Sequence, residues 1–393
     1  MKNLSRLICS VALMSQLVCL SSYGVLFNEM PDDMRGKLFQ LTKENPVDLV
    51  KFSRINKASQ AAVKEAIRLA IEDGATFDFS RKTFTDEHFR ALFTGDGLFS
   101  KITKLNLSRA RFSHALLSEL PVSLTHLNVS NTQLNSNDAQ CLSHLTNLTS
   151  LNLSRNEIGA EGAEHIARLT NLTSLNLGFN HIGDAGAGHI AKLTNLTSLN
   201  LNGNQIGAAG AGHVARLTNL TSLNLGLNRI SDAGAGHVAR LTNLTSLDLD
   251  GNAIGDIGAG HIAKLTNLTS LNLGASQIGA AGAGHIARLT NLTSLALGGN
   301  AIGDIGAGHI AKLTNLTSLN LSGNQIGAEG AEHIAKLTNL TSLNLGSSQI
   351  SDAGAGHIAR LTNLTSLDLG GNRISDAALR MLWQQLPNTQ ISF

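Results

Sequence analysis

The sequence predicts an α/β solenoid. A parallel sheet of short strands lines its concave face, short helices lie on its convex side, and a small helical domain precedes it. Two observations predict the solenoid. A 24-residue unit restarts ten times between Leu145 and Leu361. Each unit passes from apolar–polar alternation to helical spacing of its apolar residues. A third observation sets the N-terminal part aside, because glycine thins out there and Pro, Lys, Asp and Phe take its place. The 393 residues carry a net charge of +2, from 30 basic and 28 acidic side chains. That balance is no polyelectrolyte, so no nucleic-acid partner is expected.

Residues 1–24 read as an export signal. Lys2 and Arg6 form a positive start, Leu7 to Leu20 a short apolar stretch, and Ser22-Tyr23-Gly24 a cleavage site with small residues. A membrane-proximal anchor or an uncleaved apolar helix is the alternative. Cys19 follows Leu17-Val18, which lacks the small residue expected before a lipidated cysteine. Beyond this segment no apolar run is long enough to span a membrane. Removal of the segment takes Cys9 and Cys19 with it and leaves Cys141 alone, so no intrachain disulfide framework is expected.

Residues 25–95 read as a helical domain. Met34, Leu38, Phe39 and Leu41 recur at helical spacing, as do Leu49, Phe52 and Ile55, then Ala58, Ala61, Ala62 and Ile67. Pro31 stands near a helix start, and Asn45-Pro46 separates two helices. A Phe-rich stretch follows from Ala75 to Thr94, and Phe77-Asp78-Phe79 alternates as a strand does. Met30-Pro31, Asp33-Met34, Leu38-Phe39, Asp48-Leu49 and Ile55-Asn56-Lys57 resemble an F-box, with Ser59 where that family has Trp. The resemblance implies docking onto the Skp adaptor of a host cullin–RING ubiquitin ligase. The interface it implies is Met30, Pro31, Met34, Leu38, Phe39, Leu49 and Ile55. The alternative is a helical cap that shields the end of the array.

Residues 96–393 read as the array. In Ser150-Leu151-Asn152-Leu153 the leucines alternate with polar residues, which predicts a half-buried strand. Copies 24 residues apart must return by a crossover and pair in parallel. Gly162 to Arg168 predicts a helix with Ala163, Ile166 and Ala167 inward and His165 and Arg168 outward. Strands stack about 4.8 Å apart and helices about 8–10 Å apart, so the stack curves with its strands inside. Degenerate strands are expected at Leu105-Asn106-Leu107 and Leu127-Asn128-Val129, and a last one at Ile391-Ser392-Phe393.

From about Leu98 onward this pattern resembles a leucine-rich repeat in its LxxLxLxxNxI form, which implies a ribonuclease-inhibitor-like horseshoe. Ile-Gly-Asp-x-Gly-Ala-x-x-Ile-Ala within it resembles the GALA type of bacterial repeat. Those proteins pair an F-box with such an array and act inside eukaryotic hosts.

Several columns of identical residues have structural explanations. Asn156 and its equivalents predict a ladder bonding buried turn backbone, loosened at Ser276 and Ser348. The histidines from His165 to His357 are expected on a solvent-facing helix side. One per repeat cannot share a metal, because ligand nitrogens must lie about 2.1 Å from one ion. The cations from Arg168 to Arg360 suit helix C-termini. With histidine they form a basic face, which Asp184, Asp232 and Asp256 are expected to balance. The ten Asn-Leu-Thr triplets read as repeat by-products rather than glycan sites. No metal, cofactor or catalytic group is expected, since no repeat carries a nucleophile–base set that the others lack.

The concave face is the expected binding surface for a protein partner. Asn152 and Arg155 represent its common residues, and Phe179, His181, Leu227, Arg229, Asp248, Asp250, Asp368 and Arg373 depart from the unit. Aromatic and Arg side chains concentrate binding energy, and Phe179 with Leu227 is expected to form one apolar patch. The expectation is a monomeric, exported, non-enzymatic substrate receptor for a host ubiquitin ligase. The alternative is a secreted or surface binding module.

Overall fold

The computed structural model describes Arg68, Glu72, residues 75–93 and residues 99–393. The export signal, the F-box-like segment and its helices lie outside the described residues. The chain divides into two compact units, Met1–Asn156 and Glu157–Phe393.

In the first unit four strands pair in parallel in sequence order. They are β1 (Phe77–Asp78), β2 (Lys104–Asn106), β3 (His126–Asn128) and β4 (Ser150–Asn152). Register is constant, with Phe77 opposite Leu105, Leu105 opposite Leu127 and Leu127 opposite Leu151. The strand expected at Phe77 is therefore the first of this sheet, upstream of the boundary expected at residue 96. Helix α1 (Asp86–Phe93), a 3-10 helix (His114–Glu119) and α2 (Ser136–Cys141) make the crossovers. Phe77, Phe79, Phe84, Phe89, Phe93 and Phe99 fill the core beside β1, with ring centroids 4.7–6.4 Å apart. Most of these pairs are tilted or edge-on, the arrangement that aromatic quadrupoles favour.

In the second unit ten strands pair in sequence order, from β5 (Ser174–Asn176) through β6 (Ser198–Asn200), β7 (Ser222–Asn224), β8 (Ser246–Asp248) and β9 (Ser270–Asn272). They continue through β10 (Ser294–Ala296), β11 (Ser318–Asn320), β12 (Ser342–Asn344) and β13 (Ser366–Asp368) to β14 (Gln390–Ser392). Leu lies opposite Leu throughout, and Ile391 opposite Leu367 closes the series as expected. A slip of one residue would turn every buried leucine outward, which fixes the register.

The helices start earlier than expected. The first of the second unit, α3, spans Gly159–Ile166 rather than Gly162–Arg168. Gly162 and its equivalents mark a close approach within the helix, not its beginning. A Cβ on Gly186 would lie 2.6 Å from Ile182 and 3.1 Å from the Ala160 backbone, so only glycine fits. The histidine column also differs from expectation. Each His is half-buried, not solvent-facing. A Cβ on Gly188 would meet the His213 ring at 3.5 Å, and the same pairing recurs from Gly212 and His237 to Gly308 and His333. Each of these rings thus packs against the helix of the preceding repeat.

Polar columns bind successive repeats together. The expected asparagine ladder is present. Asn204 Oδ1 accepts from the backbone N–H groups of Asn180 at 3.0 Å and Ile182 at 3.1 Å. Its Nδ2 donates to the Leu177 carbonyl at 2.8 Å. At the two exceptions the link shortens. Ser276 Oγ donates to its own turn at Gly274, and Ser348 Oγ, though buried, has no hydrogen-bond partner. The Asn-Leu-Thr triplets form two further ladders. Asn219 Nδ2 donates to the Thr194 carbonyl at 2.9 Å, and Thr221 Oγ1 to the Thr197 carbonyl at 3.2 Å. The nitrogen that would carry a glycan is thus engaged with the backbone.

Candidate partner-binding face

The exposed side of the sheet is set by alternation. Leu175 and its equivalents point into the core, so Ser174 and Asn176 and theirs point out and stand half-buried. Each outward Asn ends its strand, because its Oδ1 accepts from the N–H two residues on. Asn152 does so with Ser154 at 3.0 Å and Asn176 with Gly178 at 3.0 Å. Such Asx turns let the chain leave the strand without an unmet donor. Asn152, Asp248 and Asp368 therefore do structural work as well as facing out.

Over β5 to β9 this side forms a hollow of about 440 Å³, lined by Ser and Asn side chains and by Asp248. Asp248 Oδ1 accepts from the Asp250 amide at 2.9 Å, and Asn224 Nδ2 donates to its other oxygen at 3.3 Å. Burial pushes the Asp248 carboxyl up from its ordinary range, and the Asp250 charge adds to the shift. Hydrogen bonds from the Asp250 backbone and from Asn272 oppose it. A group of this kind gains from a cationic partner.

The other expected residues do not lie on the strands. Arg155, Phe179 and Leu227 share the position three residues past the outward Asn, where the backbone is left-handed at φ of 58°, 58° and 51°. Gly203, Gly251, Gly299, Gly323 and Gly371 hold the same position at φ of 65–72°. Side chains stand at a place where glycine is unstrained. Phe179 is 41% and Leu227 50% exposed. Phe179 leans over the bare backbone of the next repeat, where a Cβ on Gly203 would lie 2.6 Å from its ring. Leu227 leans over Gly251 in the same way, at 2.7 Å. Phe179 and Leu227 thus stand two repeats apart in one row of turns, each against the glycine of the repeat that follows it. His181, Arg229 and Arg373 lie two residues further on, exposed, in the turns that lead to the helices. His181 Nδ1 meets Gln205 Nε2 at 2.9 Å.

Other features carried no clear signal in the sequence. Trp383 and Phe393 are both about half exposed and meet edge-on at 5.7 Å beside β14. Ile257 and Ile305 stand exposed two repeats apart on the helix side. The helix-starting acids act on the following repeat. Asp184 Oδ1 accepts from the N–H groups of Gly207 and Gly210, which open helix α5 (Ala208–Val214). Here α4 is Gly183–Ile190, the helix that carries Asp184.

Cys141 is half-buried, and burial with a contribution from Asp138 raises its thiol above the ordinary value, which disfavours the thiolate. Among the described residues no three His, Cys, Asp or Glu side chains gather in a metal-binding group, and no helix is long and apolar enough to cross a membrane.

Comparison with known proteins places these features. A sequence profile described as leucine rich repeat matches residues 122–182, 194–254, 218–278 and 266–326. A second, described as leucine rich repeats in two copies, matches 170–211 and 338–380. Among solved structures, an internalin from Listeria monocytogenes aligns at 29% identity with a TM-score of 0.62, covering 84% of this chain and 94% of that one. A leucine-rich-repeat protein from Leptospira interrogans aligns at 22% identity with a TM-score of 0.49, covering 84% of this chain and 98% of that one. No curated protein matches the chain.

Proposed function

The chain belongs to the leucine-rich-repeat family, and from that premise we propose that it is an exported, non-catalytic recognition protein holding a protein partner on its exposed sheet face. The observation that carries this is the row of turns at Phe179 and Leu227. Two large apolar side chains are held exposed in left-handed backbone beside a polar hollow. Ala275 and Ser347 hold the same backbone, so the size and exposure of Phe179 and Leu227 are what set their repeats apart. The partner-facing residues are Phe179, His181, Leu227, Arg229, Asp248 and Asp250, with Asn152, Arg155, Asp368 and Arg373 on the same turns and strand ends elsewhere. Likeness to the Listeria internalin supports a secreted or surface-exposed protein. The test is a binding screen of the full chain against arrayed extracellular protein domains. Each hit is repeated with the Phe179→Ser/Leu227→Ser variant. Loss of a hit by tenfold or more supports the proposal, and hits indifferent to the double change contradict it.

The run Met30-Pro31, Leu38-Phe39, Asp48-Leu49 and Ile55-Asn56-Lys57 favours a second reading, in which this F-box-like segment recruits a host ubiquitin ligase and the sheet holds its target. Purified Skp adaptor is offered to the chain from residue 25 onward, with Pro31→Ala/Leu38→Asp as the control. Binding lost in the control supports receptor function. No binding leaves residues 25–95 as a cap.

A further inference from the structure

The edge formed by the helix C-termini and the loops that follow carries charge of one sign. Nine of the twelve lysines and arginines after residue 156 stand there, at 24-residue steps from Arg168 to Arg360. All nine are exposed. None is in an ion pair with any described residue. The ten-residue stretch from each His to the next strand, such as residues 189–198, contains no acid in any of the nine repeats.

The acids expected to balance this row are elsewhere. Asp184, Asp256 and Asp304 sit in the first turns of their helices, half-buried, with Oδ1 accepting two backbone N–H groups of the next repeat at 2.7 and 2.9 Å. Asp232 accepts from Gly258 at 2.6 Å in the same way. Lys192 stands eight positions beyond Asp184, two past the end of the helix, roughly 12 Å away at the α-helical rise. That exceeds the Debye length of about 8 Å at physiological salt, so the caps neutralise little of the row. Glu164 and Glu332, each preceding a histidine, are the acids nearest to it in sequence. The helix dipole explains a cation at each C-terminus. Nine in line make a continuous positive strip that no single helix requires.

We propose that this edge binds a linear anionic polysaccharide. One cation per repeat, in single file, matches a polymer with regularly spaced anionic groups. Exposed threonines, Thr194 and its equivalents, lie two residues beyond each cation and suit a hydroxyl-rich ligand. Between Arg168 and Arg360 the edge exposes no large apolar side chain. Phe179 and Leu227 lie on the sheet-side turns, Ile257 and Ile305 in the first turns of their helices, and Trp383 on the terminal helix. It therefore lacks the anchors of a membrane-inserting surface and the aromatic platforms of a single-stranded nucleic-acid site.

Heparin oligosaccharides of increasing length are the probe, titrated into the full chain at 50 and 300 mM salt. Duplex DNA and phosphatidylserine vesicles are run in parallel. The expected result is affinity for heparin that rises with length, falls with salt, and drops about tenfold or more in Arg240→Gln/Lys264→Gln/Arg288→Gln, as three exposed ion pairs of ordinary strength imply. Far-UV circular dichroism confirms that the variant folds. No heparin binding at 50 mM salt, equal binding by the triple variant, or tighter binding to DNA or vesicles overturns the proposal.

Discussion

Asp184 caps a helix to which it does not belong: its Oδ1 accepts the backbone N–H of Gly210 at 2.9 Å, in the first turn of the next repeat's helix. That helix begins Gly-Ala-Ala-Gly and has no side-chain cap of its own. The same relation joins Asp256 to Gly282 and Asp304 to Gly330. The Asp at this position, replaced by Ala at 160, 208, 280 and 328, is therefore a coupling between neighbours, the nearest-neighbour interface from which solenoids draw cooperativity. Asp184→Ala should cost about 0.5–2 kcal/mol, the range for a lost N-cap. Chemical denaturation measures it, and an unchanged midpoint would show that the cap contributes nothing.

Ser348 tests the asparagine ladder in the stabilising direction. Its hydroxyl is buried without a partner, where the equivalent Asn of other repeats, such as Asn324 and Asn372, bridges to the preceding turn. Ser348→Asn restores a bridge and should stabilise by about 1 kcal/mol. Asn204→Leu should cost about 1–3 kcal/mol, because the Asn180 and Ile182 amides lose their acceptor. A melting temperature that moves the wrong way in either variant refutes the ladder as a source of stability.

The Asp248 carboxyl carries a pH signature. Burial, the largest cause, raises its folded value above the unfolded one, so the ionised form disfavours the folded state. The penalty is absent below the ordinary carboxylate range, grows as pH rises toward the raised folded value, and is complete above it. Asp248→Asn, which restores the residue most repeats carry, should gain stability at pH 7 and nothing at pH 3. Equal gains at both pH values would place its effect in packing. Asp352 has the opposite sign. Hydrogen bonds from the Ser375 backbone and hydroxyl hold its carboxyl below the usual range. Its contribution is present above the unfolded value and disappears as pH falls through the folded one.

Leu227 sets binding against stability. A leucine in left-handed backbone costs about 1–2 kcal/mol that glycine does not incur, and Gly203 and Gly251 occupy the same place on either side. Leu227→Gly should leave stability unchanged or raise it by about 1 kcal/mol, while weakening any partner held at this row of turns. Marked destabilisation, measured by denaturation, would make Leu227 a packing residue.

The strand–helix alternation, the parallel register and the final strand at Ile391 were legible because the period fixes which leucines must face inward. The asparagine ladder was legible for the same reason. The caps were not, since Asp184 and Gly210 are 26 residues apart and each looks ordinary within its own helix. The half-buried histidines were missed because the residue each ring packs against, a glycine for His213 through His333, lies in the neighbouring repeat. Phe179 and Leu227 were found as departures from the unit, but their place in one row of turns depends on a left-handed backbone that alternation does not reveal. The balance assigned to Asp184, Asp232 and Asp256 failed because composition counts charges without saying at which end of a helix they stand.

The most direct test of partner recognition on the sheet face is hydrogen–deuterium exchange on the full chain, free and bound to a partner found in the screen. Slowed exchange is expected in the turns after the strands, at residues 177–182 and 225–231, and at Asp248 and Asp250, with the helices unchanged. Protection confined to the helices, with those turns unaffected, would contradict it.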